Sequence, residues 1–365
     1  MRQKRTLKPN MVIVCEGTDT EYLYFKDVAK KILADTNCRY GMIRVVPTPD
    51  EVKIMEQKRH VFKQRMRNDP SGTTHPQWLQ WLYYVKEDHS QQEYDANCAQ
   101  PARYVREVQL FMEDDVFTEG WAVYDQDVHT GHERALKLSQ SQPNVGIVYS
   151  GYSFEEWILC HFERNAHAYH RSLCKKKDCG INSTWCRGHD CLIGRIRQKH
   201  YVDGMDKKQA NLYADYLEAR LETAMINAAW LRHVCREEVM YRKNPYTNVD
   251  IFMQYLLDLP TSYKWVGLYQ RFRFNGEEIS VYVDGADLVL EYYGNYVLPL
   301  NAQHLYYCDA NGYPQLKLML INKTLHTGCR SHRVTINKSF HYLRLEGDVR
   351  GHKKEVFFIE LPFFS

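Results

Sequence analysis

The sequence predicts an α/β protein in which helices flank a parallel sheet and a separate β-rich domain follows. Three observations carry this. Met11–Val14 is a flat apolar run without alternation that stops at Glu16-Gly17, as a strand covered on both faces does when it hands over to a helix. The strand-then-helix order returns at AVYD, GHERALKLSQ and NVGIVYS, which implies parallel strands joined by right-handed crossovers. After Pro260 the chain changes to short alternating runs with Asn-Gly at 275–276 and 311–312 and Asp-Gly at 284–285, where hairpin turns belong.

Each element has its own signal. The first strand leads to a helix that Thr18 or Asp19 can cap, with Tyr22, Phe25, Val28, Ala29 and Ile32 at helical spacing on the face that packs on the sheet. Met42–Val46 is the second strand. Residues from about 50 to 112 are charged and rich in Trp and Tyr, with Pro70, Gly72 and Pro76 in the middle, and read as an insertion of two or three helices beside the sheet. A third strand ends in Asp125, a helix follows, and NVGIVYS is the fourth strand. FEEWILCHF is helical, and a longer helical stretch runs from Lys207 to about Met240. The expected domains are 1–260, with the helical insertion and a Cys/His-rich loop at about 172–195, and 261–365, all β and of open role.

Composition narrows the class. The chain has 365 residues, 44% hydrophobic and 25% charged, enough for a sizeable core. No apolar run reaches the roughly 20 residues a membrane-spanning helix needs. The basic start MRQKRTLKPN has no apolar signal region behind it, so a cytoplasmic protein without membrane contact is expected. Eleven cysteines, an odd count, suit thiols or metal ligands in a reducing compartment better than a disulfide framework. With a net charge of +3, nucleic-acid binding must rest on local clusters such as Lys58, Arg59, Lys63, Arg65 and Arg67, a run that equally makes a solvated helix face.

The chemistry gathers at the strand ends. Glu16 follows the first strand; Asp125 and Asp127 follow the third, and in a parallel sheet both ends face one edge. Carboxylates converging there repel, and a divalent cation offsets the repulsion. Alternate residues leaving a strand point the same way, so Asp125 and Asp127 can grip one cation while Gln126 faces elsewhere. Gly17 allows a tight turn and leaves room for a phosphodiester. Taken singly, each acid can equally end a strand or cap a helix.

The order Glu-Gly-x-x-Thr-Glu after one strand and Asp-x-Asp after another resembles the Toprim domain of topoisomerases, primases and overcoming-lysogenization-type nucleases. More narrowly, VCEGTDTEYLYF, VYDQDVH, YSGYSFEEWILCHFE and RKNPYTNVD resemble four segments of the RloB-like family of bacterial defence proteins and cover roughly residues 10–257. Gly151 and Tyr152 depart from the family's Asn-Pro, the insertion is long, and the chain after 260 has no counterpart. The resemblance implies a Toprim-like (Rossmannoid) sheet whose Glu16, Asp125 and Asp127 form a Mg²⁺ or Mn²⁺ site, with Glu155, Trp157 and His161 on a helix beside it. Six residues of helix turn about 600°, leaving Glu155 and His161 about 120° apart. Glu155 is therefore the candidate for binding metal or water, or simply an acid favouring the helix dipole, and His161 reads as packed or hydrogen-bonded.

The implied function is metal-dependent phosphodiester cleavage of nucleic acid, tRNA or other RNA or DNA, in antiphage defence. Asp125, Asp127 and Glu155 would hold the metal and Glu16 would move the proton. An associated AAA/ABC-type ATPase or another defence sensor is the expected partner; a homo-oligomer stays open. Two alternatives use the same residues: a non-catalytic Toprim scaffold that senses a nucleotide or viral trigger, and a primase-like nucleotidyl transferase.

Cys174, Cys179, Cys186, His189 and Cys191 form the densest soft-ligand cluster, and four of the five would satisfy a structural zinc. The spacing lacks paired CxxC knuckles, so scattered thiols on an inserted loop are the alternative. With Lys175, Lys176, Lys177, Arg187, Arg195 and Arg197 the segment could brace a loop on nucleic acid. Asn244, Pro245 and Thr247 read as a helix stop and the cap of the next helix.

Overall fold

A computed structural model describes residues 8–54, 56–57, 60, 100–113, 115–126, 130–169, 171–172, 191–235, 237, 239–274, 277–284, 287–293, 305–309, 314–318, 321–325, 329–335, 339–340, 342–349 and 353–361. The chain forms two compact units, one from Met1–Leu221 with Cys235–Val249, the other from Glu222–Val234 with Asp250–Ser365.

The first unit is an α/β layer structure around a four-stranded parallel sheet. Strands β1 (Asn10–Cys15), β2 (Met42–Val46), β3 (Glu119–Asp125) and β4 (Val145–Ser150) lie in the order β2-β1-β3-β4. Register sets Ile13 between Val45 and Trp121, and Asp125 beside Ser150. Because side chains alternate, the flat apolar β1 buries two faces. Val12 and Val14 join Tyr104, Val105, Val108, Tyr124 and Tyr149 in one cluster, while Met11, Ile13 and Cys15 are also essentially inaccessible.

Helix α1 (Thr20–Ala34) covers the sheet with Tyr24 and Phe25, whose rings meet Phe154 edge-on. Asp19 takes the N-cap position, yet no side chain caps this helix. Helix α2 (Ala102–Met112) closes the stretch read as helices beside the sheet and forms a core layer on it, its Tyr104, Val105 and Val108 buried with residues of β1 and β3. Lys58, Arg59, Lys63, Arg65 and Arg67 lie outside the described residues.

Helix α3 (His132–Gln140) joins β3 to β4, and α4 (Glu155–Cys160) and α5 (Leu192–Gln198) follow. The expected long helix from Lys207 is broken. A wide π-type turn at Tyr213–Leu217 and a 3-10 turn at Glu218–Arg220 precede α6 (Leu221–Val234).

The second unit begins earlier than residue 260 and is not all β, because α6 and α7 (Val249–Leu256) supply most of their residues to it. The cause is packing: Ile226 and Ala229 bury against Trp265, Val356 and Phe358, and Trp265 Nε1 donates to the Ile226 carbonyl at 3.1 Å. Two five-stranded sheets share one apolar core. One holds β5 (Thr261–Val266), β9 (Leu305–Cys308), β10 (Pro314–Lys317), β13 (Tyr342–Val349) and β14 (Lys353–Glu360), with β5 parallel to β14. The other holds β6 (Arg271–Phe274), β7 (Glu277–Asp284), β8 (Asp287–Tyr293), β11 (Ile321–Leu325) and β12 (Cys329–Thr335), all antiparallel. Phe274 pairs with Glu277 across the expected Asn275-Gly276 turn. Asp284, expected in the next turn, still belongs to the ladder and pairs with Asp287. The Asn-Gly at 311–312 lies outside the described residues. No helix among the described residues is long and apolar enough to cross a membrane.

Candidate active site

Parallel strands deliver their carboxyl ends to one edge, and the sequence places acids there. Glu16 extends β1 by one residue: its N–H donates to the Val123 carbonyl at 3.0 Å, and its Oε2 accepts from the Asp125 N–H at 3.3 Å. Asp125 ends β3. Glu155 opens α4 and is buried, with both oxygens held: Thr20 Oγ1 donates to Oε1 and Ser172 Oγ to Oε2, each at 2.7 Å. Thr20 thus spends its hydroxyl on Glu155 rather than on its own helix end.

Glu21, in the first turn of α1, completes the cluster. Its carboxyl is pushed up to about 7 by burial and by the charges of Glu155 and Glu16, against its own backbone hydrogen bond and Lys207. Burial, then Glu21, Glu16 and Glu155, lifts Asp125 well above the carboxylate range. Lys207 is the counter-charge. Burial would lower its pKa, but Glu155, Asp125, Glu21 and Asp19 outweigh that and hold it above the ordinary value. Burial and Glu21 raise the Cys15 thiol.

Of the residues singled out from sequence, Glu16, Asp125 and Glu155 are brought together. Asp127, Cys174, Cys179, Cys186 and His189 lie outside the described residues. Cys191 is buried as the N-cap of α5, where its Sγ accepts from the Gly194 N–H at 3.3 Å. His161 packs edge-on against Trp157 and donates from Nδ1 to the Trp157 carbonyl at 2.9 Å. Thr247 Oγ1 accepts from the Val249 N–H at 3.3 Å at the start of α7 and lies 3.2 Å from Ser150 Oγ. Asn248 brackets the exposed side of β4: its Oδ1 accepts from Tyr149 N–H at 2.7 Å and its Nδ2 donates to the Ile147 carbonyl at 3.2 Å.

Sequence reasoning missed Thr20, Glu21, Ser172, Lys207 and Asn248. Three of them had a signal: Thr20 and Glu21 are the Thr-Glu of the Glu-Gly-x-x-Thr-Glu order, and Asn248 lies in RKNPYTNVD. Among the described residues no three His, Cys, Asp or Glu side chains surround one point closely enough to hold a metal as they stand. The donors are nonetheless all hard carboxylate oxygens, which fit Mg²⁺ or Mn²⁺ rather than a soft cation.

An α/β protein with acids from separate strands at one sheet edge is thereby defined. The profile of the family described as RloB-like protein matches residues 11–256, more than half of the chain, and the chain belongs to that family. No curated protein and no solved structure matches it.

Proposed function

We propose that the first unit is a Toprim-type domain and that the protein is a Mg²⁺- or Mn²⁺-dependent nuclease acting in antiphage defence under an associated ATPase or other sensor. The observation that carries this reading is the convergence of Glu16, Glu21, Asp125 and Glu155 at the carboxyl edge of a parallel sheet, offset by Lys207. Structural proteins have little reason to crowd four acids, Glu155 buried and the other three half-buried, since each loss of water disfavours the charged form.

Glu16 and Asp125, with Asp127, would hold the cation. When bound, it polarises the scissile phosphate and stabilises the leaving oxygen. Glu155 is fixed by its two hydroxyl donors and anchors Lys207 rather than swinging toward substrate. Lys207 is placed to attract the anionic backbone. Glu21, whose carboxyl titrates at about 7, can take or give a proton at neutral pH.

The test is incubation of purified protein and Mg²⁺ or Mn²⁺ with labelled tRNA, other RNA and DNA, alone and with the neighbouring gene product. Cleavage that falls at least ~100-fold in Glu16→Gln and Asp125→Asn is expected. Intact nucleic acid under every condition overturns the reading; primer extension would assign a transferase, and equal cellular toxicity of wild type and Glu16→Gln a scaffold.

A further inference from the structure

The geometry points to a contact for a single nucleic-acid strand in the second unit, built on Tyr269 with Arg271 and Arg273. Strand β6 is an edge of its five-stranded sheet, beside β7. At the entry to β6 two residues oppose one: the Tyr269 N–H donates to the Val281 carbonyl at 2.6 Å, and the Val281 N–H donates to the Gln270 carbonyl at 3.2 Å. That pattern is a β-bulge whose first residue takes the left-handed conformation, a place glycine normally fills because it has no Cβ. Here it is a tyrosine, at φ 62°.

The ring is displayed as well as strained. Tyr269 is 73% exposed, the most exposed large hydrophobic side chain among the described residues. Its turn is braced from within: Gln270 Oε1 accepts from the Gly267 N–H at 3.0 Å, and Leu268 packs on the apolar core. A bulge with charged neighbours also guards a free sheet edge against strand pairing, but that task needs no aromatic ring, and glycine would form the same bulge without the strain. The tyrosine is kept for what its ring can touch.

Its neighbours say what that is. Phe272 faces inward, its ring 4.8 Å from that of Phe357, so Arg271 and Arg273, which alternate with it, face outward, and both are exposed. Glu278 answers both: it lies opposite Arg273 in register, and its Oε1 accepts from Arg271 Nη1 at 3.2 Å. Two guanidinium groups against one carboxylate leave the strip cationic, and an ion pair this exposed yields to a competing phosphate. The anchor of a protein interface sits among apolar neighbours. A ring flanked by Gln270 and two arginines, all exposed, suits a stacked base with its phosphates on the guanidinium groups. No acid of the first unit enters this contact, so it stands or falls independently of the cleavage proposed above.

The test is fluorescence anisotropy of the full chain with labelled oligothymidylate and oligouridylate of about 12 nucleotides, in EDTA so that metal-dependent cleavage is off. Losing one stacked base should raise Kd about 5- to 100-fold in Tyr269→Ala and Tyr269→Gly on whichever oligomer the site takes, while Tyr269→Phe stays within about threefold of wild type. Tyr269→Gly should unfold at no lower a temperature than wild type, which a merely structural tyrosine would not allow. Arg273→Ala should lower the slope of log Kd against log salt by about 0.7. Should the Ala variant not fold, the Gly variant, whose backbone suits the bulge, carries the comparison. A wild type that binds neither oligomer, or a Kd unchanged by loss of the ring, overturns the proposal. Binding of oligoglutamate instead, weakened in Tyr269→Gly, would assign an acidic protein surface and overturn it too.

Discussion

Thr20 and Glu155, 135 residues apart in sequence, meet in a buried 2.7 Å hydrogen bond that ties the start of α1 to the start of α4. Thr20→Val leaves Glu155 with Ser172 as its hydroxyl donor, and a buried carboxylate short of one donor costs about 1–3 kcal/mol. Urea unfolding should show that loss for Thr20→Val and little of it for Thr20→Ser. Equal stability of all three proteins would remove the bond from any structural role.

Asp125 carries an opposite signature. Burial and its acidic neighbours oppose its ionisation, so at neutral pH the folded state bears a cost that the unfolded chain lacks. Asp125→Asn should raise metal-free stability by on the order of 1 kcal/mol while the proposed cleavage falls, the exchange expected of a residue kept for function. Calorimetry without metal checks the first half; a variant less stable than wild type contradicts it.

His161 sets an acid limit. Burial, against two backbone hydrogen bonds, lowers its pKa from the ordinary 6.5 to about 3. The unfolded chain therefore takes up the proton first, so this contribution is complete above pH 6.5 and drains as pH falls toward 3, by about 1.4 kcal/mol per unit. His161→Leu should flatten that part of the curve, read as the difference in urea midpoint from wild type between about pH 7 and pH 4.5.

The neighbouring Glu156 has the reverse sign. It is buried, its Oε2 has no hydrogen-bond partner among the described residues, and burial followed by Glu163 raises its carboxyl well above 4.5. Its proton stays on in the folded state, so stability declines as pH rises past 4.5. Glu156→Gln should be the more stable protein at about pH 7.5, with the difference vanishing at low pH.

Gly151 is required by space. A Cβ there would lie 2.4 Å from the Lys243 carbonyl and 2.9 Å from the Tyr246 nitrogen, both backbone atoms. Gly151→Ala should cost about 1–3 kcal/mol and speed hydrogen exchange at Tyr149 and Asn248, whose amides join the two segments.

The first layer of the fold was legible because β1 and β2 are flat apolar runs and because Glu16 and Asp125 stand where such strands end. The place of helix α2 in the core was hidden. The Pro- and Gly-bearing stretch before it carries the marks of an insertion, and nothing local separates Tyr104, Val105 and Val108 from it. The apolar spacing through Leu212 and Leu217 suggested one long helix, although the backbone widens there. Thr20 stood in the Glu-Gly-x-x-Thr-Glu order without a role of its own and is a partner of a distant acid. Lys207 sits in an irregular segment, and only tertiary structure gives it carboxylate neighbours. Local pattern thus names elements and rim acids; what neutralises and fixes those acids is decided by residues far along the chain.

The bracket that Thr247 and Asn248 place along β4 also has a temporal meaning. A ribosome makes the acids at 16, 125 and 155 long before it makes the segment that secures the last strand beside them. A nascent or prematurely terminated chain therefore carries the acidic edge without the final brace on its last strand.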